Sequence, residues 1–202
     1  MRLIGITGGV ATGKSEVARL FAQRGAIVLS ADAIAREATA PGSPLIEAIA
    51  RDLGAQYVRD GVLDRAALAE LVFRDPEARG RLEAIVHPVV LKRLRDAVEE
   101  LRNRTPKPEV VTVEVPLLYE VGIEGWFDEV VVVAAPQSEQ LRRLQNRDGL
   151  AEEAALARIR AQMPIEEKMA RADHVIVNDG TIGDLARSVE EIWQNKLSRS
   201  GV

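Results

Sequence analysis

A short glycine-rich segment near the start of the chain limits the possible folds more than any other feature. From Gly8 to Ser15 it spells G-x-x-x-x-G-K-S. An apolar run at residues 2–6 precedes it, and residues 14–23 follow with apolar side chains at helical spacing. A strand, a glycine-rich turn and a helix in this order are typical of loops that bind nucleotide phosphates. The segment therefore predicts a phosphate-binding loop in an α/β sheet.

The residue types in this segment explain the expected chemistry. Glycine lets main-chain N–H groups turn inward, and the following helix presents the positive end of its dipole to an anion. Lys14 is expected to reach the β- and γ-phosphates, and the Ser15 hydroxyl to hold Mg²⁺. An ordinary glycine turn is the alternative, but the flanking strand and helix disfavour it. The pattern predicts that the chain binds a nucleoside triphosphate.

Length, charge and composition exclude several classes of protein. The chain has 202 residues, 47% of them hydrophobic and 29% charged, as expected for one soluble globular domain. Its net charge of −4 disfavours non-specific binding to nucleic acid. It has no cysteine, and no apolar run typical of a membrane span or a targeting segment. We expect a cytoplasmic protein with no nucleic-acid or membrane partner, and no obligate protein partner is evident.

Apolar runs typical of buried parallel strands recur along the chain. They fall at residues 2–6, 26–29, 110–115, 130–134 and within 172–180. Helical patterns separate them, and a final amphipathic helix precedes a tail, residues 198–202, that we expect to be frayed. The pattern predicts an α/β fold of the P-loop NTPase type, with a parallel sheet of about five strands flanked by helices.

Residues 41–103 contain several helical patterns and no clear strand. A helical lobe that covers or receives a substrate is one interpretation, and ordinary helices that cover the sheet are the other. His87 precedes Pro88, which predicts extended backbone and a break between two helices at this point. A lone histidine there is either structural or functional, and the sequence leaves both roles open.

Acidic residues stand at or near the ends of two predicted strands. Asp32 follows the second strand, at the edge where open α/β sheets bind ligands. It is also placed to cap the next helix, and the two roles are compatible. Glu114 resembles a carboxylate that binds metal-bound water, but it falls within the third strand rather than beyond it. Glu120, a few residues later, is either functional or an exposed loop acid.

A helix after the fourth strand places Gln140, Arg143 and Arg147 on one face. An arginine near the transferring group can speed phosphoryl transfer by a factor of about 10³–10⁵. The alternative is a solvated charged face, which is the usual meaning of such a run. Residues 148–171 continue as polar helices and are expected to form part of a lid.

These motifs, taken in order, resemble those of the dephospho-CoA kinase family over nearly the whole chain. They are Gly5-Ile6-Thr7-Gly8-Gly9 with Gly13-Lys14-Ser15, Ala31-Asp32, His87-Pro88, Pro116-Leu117-Leu118-Tyr119-Glu120, Gln140 with Arg143 and Arg147, Gln162, Ala172-Asp173, and Asn178 with Gly180. A phosphate loop alone is shared with many unrelated proteins, whereas this ordered set is far more specific.

The resemblance implies transfer of the γ-phosphoryl group of ATP to the ribose 3′-hydroxyl of dephospho-CoA, with Mg²⁺. It also implies a nucleotide-binding core (1–40, 104–135 and 172–202), a helical substrate lobe (41–103) and a lid (136–171). Carried over to this sequence, the catalytic residues are Asp32, Lys14 and Arg143. Asp32 would accept the proton of the acceptor hydroxyl, and Arg143 would lie near the transferring phosphoryl group.

The same resemblance implies the binding residues. Those expected to contact ATP are Gly8, Gly9, Val10, Ala11, Thr12, Gly13, Lys14, Ser15, Glu16, Arg147, Asn178 and Gly180. Those expected to contact the acceptor are Asp32, His87, Leu117, Leu118 and Glu120. Ser15 is assigned to the metal.

The loop departs from the family pattern at two positions. Ala11 stands where glycine is usual, which predicts an ordinary φ there. Glu16 stands where threonine is usual. Pointing outwards, its carboxylate would favour the helix N-terminus, and we expect that orientation.

Two other functions compete with this one. Another P-loop small-molecule kinase, such as one for nucleoside monophosphates, would share the donor site. A GTPase-like switch would carry an N-K-x-D stretch for guanine, but Asn195-Lys196-Leu197-Ser198 lacks the aspartate and lies in the last predicted helix.

Overall fold

The computed structural model of the chain describes residues 1–197, and the predicted frayed tail, residues 198–202, lies outside the described residues. The chain forms two compact units. One consists of residues 1–29 with the chain from residue 104 onwards, and the other of residues 30–103. The functional division into a core, a substrate lobe and a lid stays a prediction.

The secondary structure alternates between strands and helices in the first unit and is mostly helical in the second. The strands are β1 (Arg2–Gly8), β2 (Ile27–Ser30), β3 (Val58–Arg59), β4 (Val62–Leu63), β5 (Val110–Glu114), β6 (Glu129–Ala134) and β7 (His174–Val177). The helices are α1 (Lys14–Gln23), α2 (Ala31–Ala38), α3 (Pro44–Leu53), α4 (Arg65–Arg74), α5 (Pro76–Asn103), α6 (Gln137–Asp148), α7 (Glu152–Arg160), α8 (Ile165–Ala170) and α9 (Ile182–Leu197).

A five-stranded sheet with the order β2-β5-β1-β6-β7 forms the centre of the first unit. The central strand β1 pairs in parallel with both neighbours, and β6 pairs in parallel with β7. Ile6 lies opposite Glu114, and Gly8 lies opposite Val133, so three strands end side by side. The predicted α/β fold of the P-loop type is confirmed. The connection from β1 leads to β2 on one side of it, and the connection from β5 leads to β6 on its other side, so these strand ends border the crevice where such folds bind ligands.

Helices α1 and α9 cover the sheet face to which Ile4 and Ile6 point, and the three elements share one hydrophobic core. Phe21 of α1 is fully buried in this core and lies beside Trp193 of α9, with ring centroids 6.4 Å apart. Burying a large apolar side chain contributes about 1.5–3 kcal/mol. The core therefore fixes α1 against β1, and with it the loop that joins them.

Helix α5 runs unbroken through Pro88, so the expected break beside His87 is wrong. Proline in a helix interior removes one hydrogen bond and costs about 3 kcal/mol. On both sides of Pro88, however, the helix buries apolar side chains, with Ala78 before it and Val90 and Leu94 after it. This packing holds the two halves in one helix, because a bend would expose one of the two apolar stretches.

A small antiparallel hairpin, β3–β4, was not expected within residues 41–103. Its turn is Asp60-Gly61, and both residues have positive φ, 51° and 73°. An Asp-Gly pair is typical of two-residue hairpin turns, and it is the signal that could have located this hairpin. The strands have only two residues each, so periodicity could not indicate them.

Candidate active site

Four segments of the first unit follow the carboxyl ends of neighbouring strands. They are the loop between β1 and α1, residues 115–120 after β5, residues 135–140 after β6, and Asn178 after β7. Asn178 Nδ2 donates to Thr12 O of the loop, Pro116 O accepts from Thr7 of β1, and the Gln140 side chain lies beside Gly9. The site predicted from scattered motifs is therefore partly assembled within this unit.

Two glycines of the loop are required by close approach and by backbone conformation. Gly8 has a φ of 147°, and a Cβ placed there would lie 2.0 Å from the carbonyl oxygen of Val133. Gly13 has a φ of 99°, and its Cβ would lie 2.3 Å from the Asn178 Nδ2 atom. Strand β6 and Asn178 therefore approach the loop so closely that side chains are excluded at these positions.

Ala11 does not adopt the ordinary φ that was expected. Its φ is 57°, in the left-handed region, where a Cβ costs about 1–2 kcal/mol. Such strain persists only where the surroundings hold it. Val10 N donates to Gln162 Oε1 (2.8 Å), and the Ala11 and Thr12 carbonyls accept from Arg143 Nη1 (3.2 and 3.3 Å). The loop is thus held on both sides of the strained residue.

The two main chemical groups of the loop have defined partners. Lys14 is buried, and its Nζ donates to the carbonyl oxygen of Gly9 (2.7 Å). Ser15 Oγ donates to Glu114 Oε1 (2.7 Å). Glu114 is the last residue of β5 rather than an interior one, and it is buried. Sequence reasoning gave Glu114 little weight because it fell within the predicted strand, and its place opposite Ile6 is known only from the register of the sheet.

The Ser15 hydroxyl and the Glu114 carboxylate are hard oxygen donors, the kind that Mg²⁺ prefers. Within residues 1–197 no group of three or more His, Asp or Glu side chains could hold a metal ion. A magnesium ion bound with a nucleotide needs only one or two protein oxygens, because phosphates and water supply the rest. The residues present therefore fit Mg²⁺ bound together with ATP.

Arg143 and Asn178 lie against the phosphate loop. Besides its bonds to the loop, Arg143 donates through Nη2 to the carbonyl oxygen of Asn178 (3.1 Å). Asn178 Nδ2 donates to the carbonyl oxygen of Thr12 (2.8 Å), and its backbone continues the sheet through a bond to Ala134 O. For Arg143, the alternative of a solvated charged face is wrong.

The other members of that helix face have different surroundings. Gln140 is buried and donates from Nε2 to Ala135 O (2.9 Å), and its Oε1 lies where a Cβ on Gly9 would meet it. Arg147, in contrast, is exposed and pairs with the neighbouring Asp148 (2.7 Å). This hydrogen bond raises the pKa of Arg147 and lowers that of Asp148. The contact of Arg147 with ATP stays a prediction.

Glu16 lies on the outer surface of α1, as expected. Its carboxylate accepts from Arg19 Nε (2.9 Å), one turn along the helix. The hydrogen bond to Arg19 lowers the pKa of Glu16, so it is ionised at neutral pH. A negative charge in the first turn of a helix is favourable, and Arg19 offsets its repulsion of phosphate.

A buried lysine that sequence reasoning missed lies at the same edge of the sheet. Lys168 of α8 is fully buried, and its Nζ donates to Pro116 O (3.0 Å) and contacts Glu120 Oε1 (2.8 Å). Glu120 also accepts from the Met163 N–H (3.0 Å). Glu120 is therefore an anchored residue and not a free loop acid.

Two of the expected binding residues have mainly structural surroundings. Leu118 is fully buried, and its side chain is the nearest neighbour of a Cβ placed on Gly5. The Leu118 side chain packs beside Gly5 of β1, and its contact with the acceptor stays a prediction. Leu117 is half-buried. Gly180 lies in the turn before α9, where a Cβ would lie 2.7 Å from Asp184 Oδ2.

Asp32 and His87 belong to the second unit. Asp32 is exposed in the first turn of α2, and the helix is capped by Ser30, which accepts from Ala33 N (3.4 Å). The capping role considered for Asp32 is therefore wrong. His87 is half-buried in the middle of α5. Their roles in catalysis and acceptor binding stay predictions.

The fold and this edge of the sheet define the chain as a P-loop kinase. A parallel sheet carries a phosphate loop with Lys14 and Ser15 at its centre, and Arg143 lies against that loop. A cation beside the phosphate loop is a recurring part of phosphoryl-transfer sites, where it stabilises the charge of the transferring group.

Comparisons with known proteins specify the family. The profile of the dephospho-CoA kinase family matches residues 2–184. A dephospho-CoA kinase of Anaeromyxobacter dehalogenans is 50% identical over 193 residues, which cover 95% of this chain and 90% of that protein. The chain belongs to the dephospho-CoA kinase family.

Two solved structures have a similar fold. A crystal structure of a Thermus thermophilus protein is 41% identical with a TM-score of 0.79, covering 96% of this chain and 97% of that one. The dephospho-CoA kinase from Campylobacter jejuni is 28% identical with a TM-score of 0.71, and the match covers 100% of both chains.

Proposed function

We propose that this protein transfers the γ-phosphoryl group of ATP to the ribose 3′-hydroxyl of dephospho-CoA, giving coenzyme A and ADP. The observation that carries the proposal is the phosphate loop held by Arg143 and Asn178, in a chain that belongs to this family throughout its length. The lack of cysteine fits a reducing compartment, and we propose that the enzyme acts in the cytoplasm.

On the donor side, Lys14 and Arg143 are the proposed catalytic cations. In the structure the Lys14 ammonium donates to the Gly9 carbonyl, which keeps it at the phosphate loop. Arg143 is already fixed by the loop and by Asn178, which limits the entropy lost when it binds a phosphoryl group. Together they would stabilise the negative charge of the transferring group.

Magnesium completes the donor side of the proposal. Ser15, hydrogen-bonded to Glu114, would hold Mg²⁺, directly through its hydroxyl or through bound water. When bound, the ion neutralises charge on the phosphates. Glu114 orients the Ser15 hydroxyl, since a buried carboxylate accepts only from donors aimed at it.

On the acceptor side, Asp32 is the proposed proton acceptor for the 3′-hydroxyl. A sugar hydroxyl is weakly acidic, so the carboxylate would mainly orient it and take its proton as the new bond forms. His87, Leu117 and Glu120 are the proposed contacts for the rest of the acceptor, and Asn178 and Gly180 for the adenine of ATP.

The test is an acceptor panel with the purified protein, ATP and Mg²⁺. Dephospho-CoA and the common nucleoside monophosphates are compared by ADP release, and the product is identified by its mass and by the position of the new phosphate. We expect coenzyme A as the main product, and no turnover in Lys14→Ala. Phosphorylation of a nucleoside monophosphate without turnover of dephospho-CoA would overturn the proposal.

A further inference from the structure

Lys168 is a fully buried charged residue of the first unit whose burial the proposed chemistry does not explain. It lies in the short helix α8, and its relative exposure is 0%. Taking an ammonium group out of water costs several kcal/mol unless hydrogen bonds and an opposite charge compensate for it. Its Nζ contacts one carbonyl oxygen and one carboxylate, both in the segment after β5.

Each partner of Lys168 is also bonded to another part of the site. The Pro116 carbonyl accepts from Thr7 Oγ1 (3.1 Å), on the strand that leads into the phosphate loop. Glu120 Oε1 accepts from the Met163 N–H (3.0 Å). The preceding residue, Gln162, accepts from Val10 N within the loop (2.8 Å).

These bonds form a closed ring of polar contacts around one ammonium group. From the loop the ring runs through Gln162 and Met163 to Glu120, through Lys168 to Pro116, and back through Thr7 to β1. Val10 directly precedes Ala11, whose positive φ is unfavourable for a residue with a Cβ. The bond from Val10 to Gln162 therefore helps to hold Ala11 in this conformation.

We infer that Lys168 is a positioning residue for ATP binding and phosphoryl transfer. Acting through Glu120, it holds the Gln162–Met163 turn, and this turn fixes the outer part of the phosphate loop. The assay of turnover rests on the proposed function, whereas ATP binding does not. Both are therefore measured, so that a failure of the proposed function is distinguishable from a failure of this inference.

The central variant is Lys168→Met, which keeps the length and apolar stem of the side chain and removes its charge. We expect the dissociation constant for ATP with Mg²⁺, measured by calorimetry, to rise by about threefold or more. We expect kcat to fall by about tenfold or more, because displaced reacting groups lose rate steeply. Lys168→Arg, which restores the charge, is expected to recover part of both losses.

The matched control is Val189→Ala, which removes apolar atoms from a fully buried side chain of the same unit outside the polar ring. It is expected to lower the melting temperature and to leave the ATP dissociation constant and kcat unchanged. If Lys168→Met and Val189→Ala lower the melting temperature equally and both keep wild-type binding and turnover, Lys168 is merely structural.

A second pair of variants keeps the inference testable if Lys168→Met does not fold. Glu120→Gln and Gln162→Ala are each expected to weaken ATP binding. Because they lie on one chain of contacts, the double variant is expected to be little weaker than Gln162→Ala alone. The inference would be overturned if the double variant raised the ATP dissociation constant by the product of the two single effects. Wild-type ATP binding in both single variants would also overturn it.

Discussion

The phosphate-loop edge of the first unit and the α2 helix of the second carry candidate catalytic residues in opposite settings. At the loop, Lys14, Ser15 and Arg143 are all hydrogen-bonded to backbone or to a buried carboxylate. Asp32 is exposed on α2, and in the part of the chain that the structure describes its carboxylate has no hydrogen-bonding or ionic partner. The donor-side residues thus both shape the loop and take part in the proposed chemistry, whereas Asp32 contributes to its own unit only the small dipole effect of a carboxylate in a first helical turn.

This difference predicts how substitutions separate activity from stability. Donor-side changes should affect both, because the same bonds shape the loop. A change at Asp32 should affect catalysis alone. The variants below test that contrast, from the largest expected effect to the smallest.

Arg143→Ala is expected to have the largest effect, lowering kcat by about 10³-fold or more. The unfolding free energy should also fall by about 1–2 kcal/mol, because three carbonyl contacts on the loop and Asn178 are lost. Steady-state kinetics and urea denaturation measure the two effects. The neighbouring Arg142 is exposed and paired with Glu139, and Arg142→Ala should change neither quantity much. Equal kinetics in the two variants would contradict the role of Arg143.

Asp32→Asn should lower kcat by about 10²–10⁴-fold, the usual contribution of a positioned acid or base. Its ATP dissociation constant and melting temperature should stay at wild-type values, since the residue is exposed and Ser30 caps the helix. Glu37→Gln, on the same helix and also exposed, is the control and should remain active. A loss of ATP binding in Asp32→Asn would instead assign the carboxylate to the nucleotide or its metal.

Ala11→Gly should have the smallest effect and a stabilising one. Glycine adopts a φ of 57° without the Cβ penalty, so the unfolding free energy should rise by roughly 1 kcal/mol. The control is Ala84→Gly, an exposed position inside α5, where the same substitution should destabilise by about 1 kcal/mol. Both are measured by urea denaturation. Destabilisation by Ala11→Gly would mean that the loop does not hold a strained alanine.

Much of the donor site was predictable because its signals are local. The phosphate loop, the strand before it and α1 are contiguous in the sequence. The errors arose where distant contacts outweigh local preference. Pro88 is tolerated because apolar packing on both sides of it holds α5 together, and Ala11 is left-handed because Gln162 and Arg143 fix its neighbours.

The residues that were missed share one property. Glu114 and Lys168 act on partners 99 and 52 positions away along the chain. At the level of sequence, Glu114 is a strand residue, and Lys168 is the one basic residue of a short charged helix. A buried charged residue is rare and therefore informative, but these two residues become buried only when the sheet and its covering helices have formed.

The sequence by itself determined the phosphate loop, the α/β order of elements and, through the ordered set of motifs, the family. These depend on residue identity at short spacing, which backbone sterics and side-chain periodicity translate directly into structure. Tertiary structure decided which charges meet. It turned Arg143 towards the loop and Arg147 away from it, and it enclosed Lys168 between Pro116 and Glu120. Strand order and helix packing set those distances, and no local pattern encodes them.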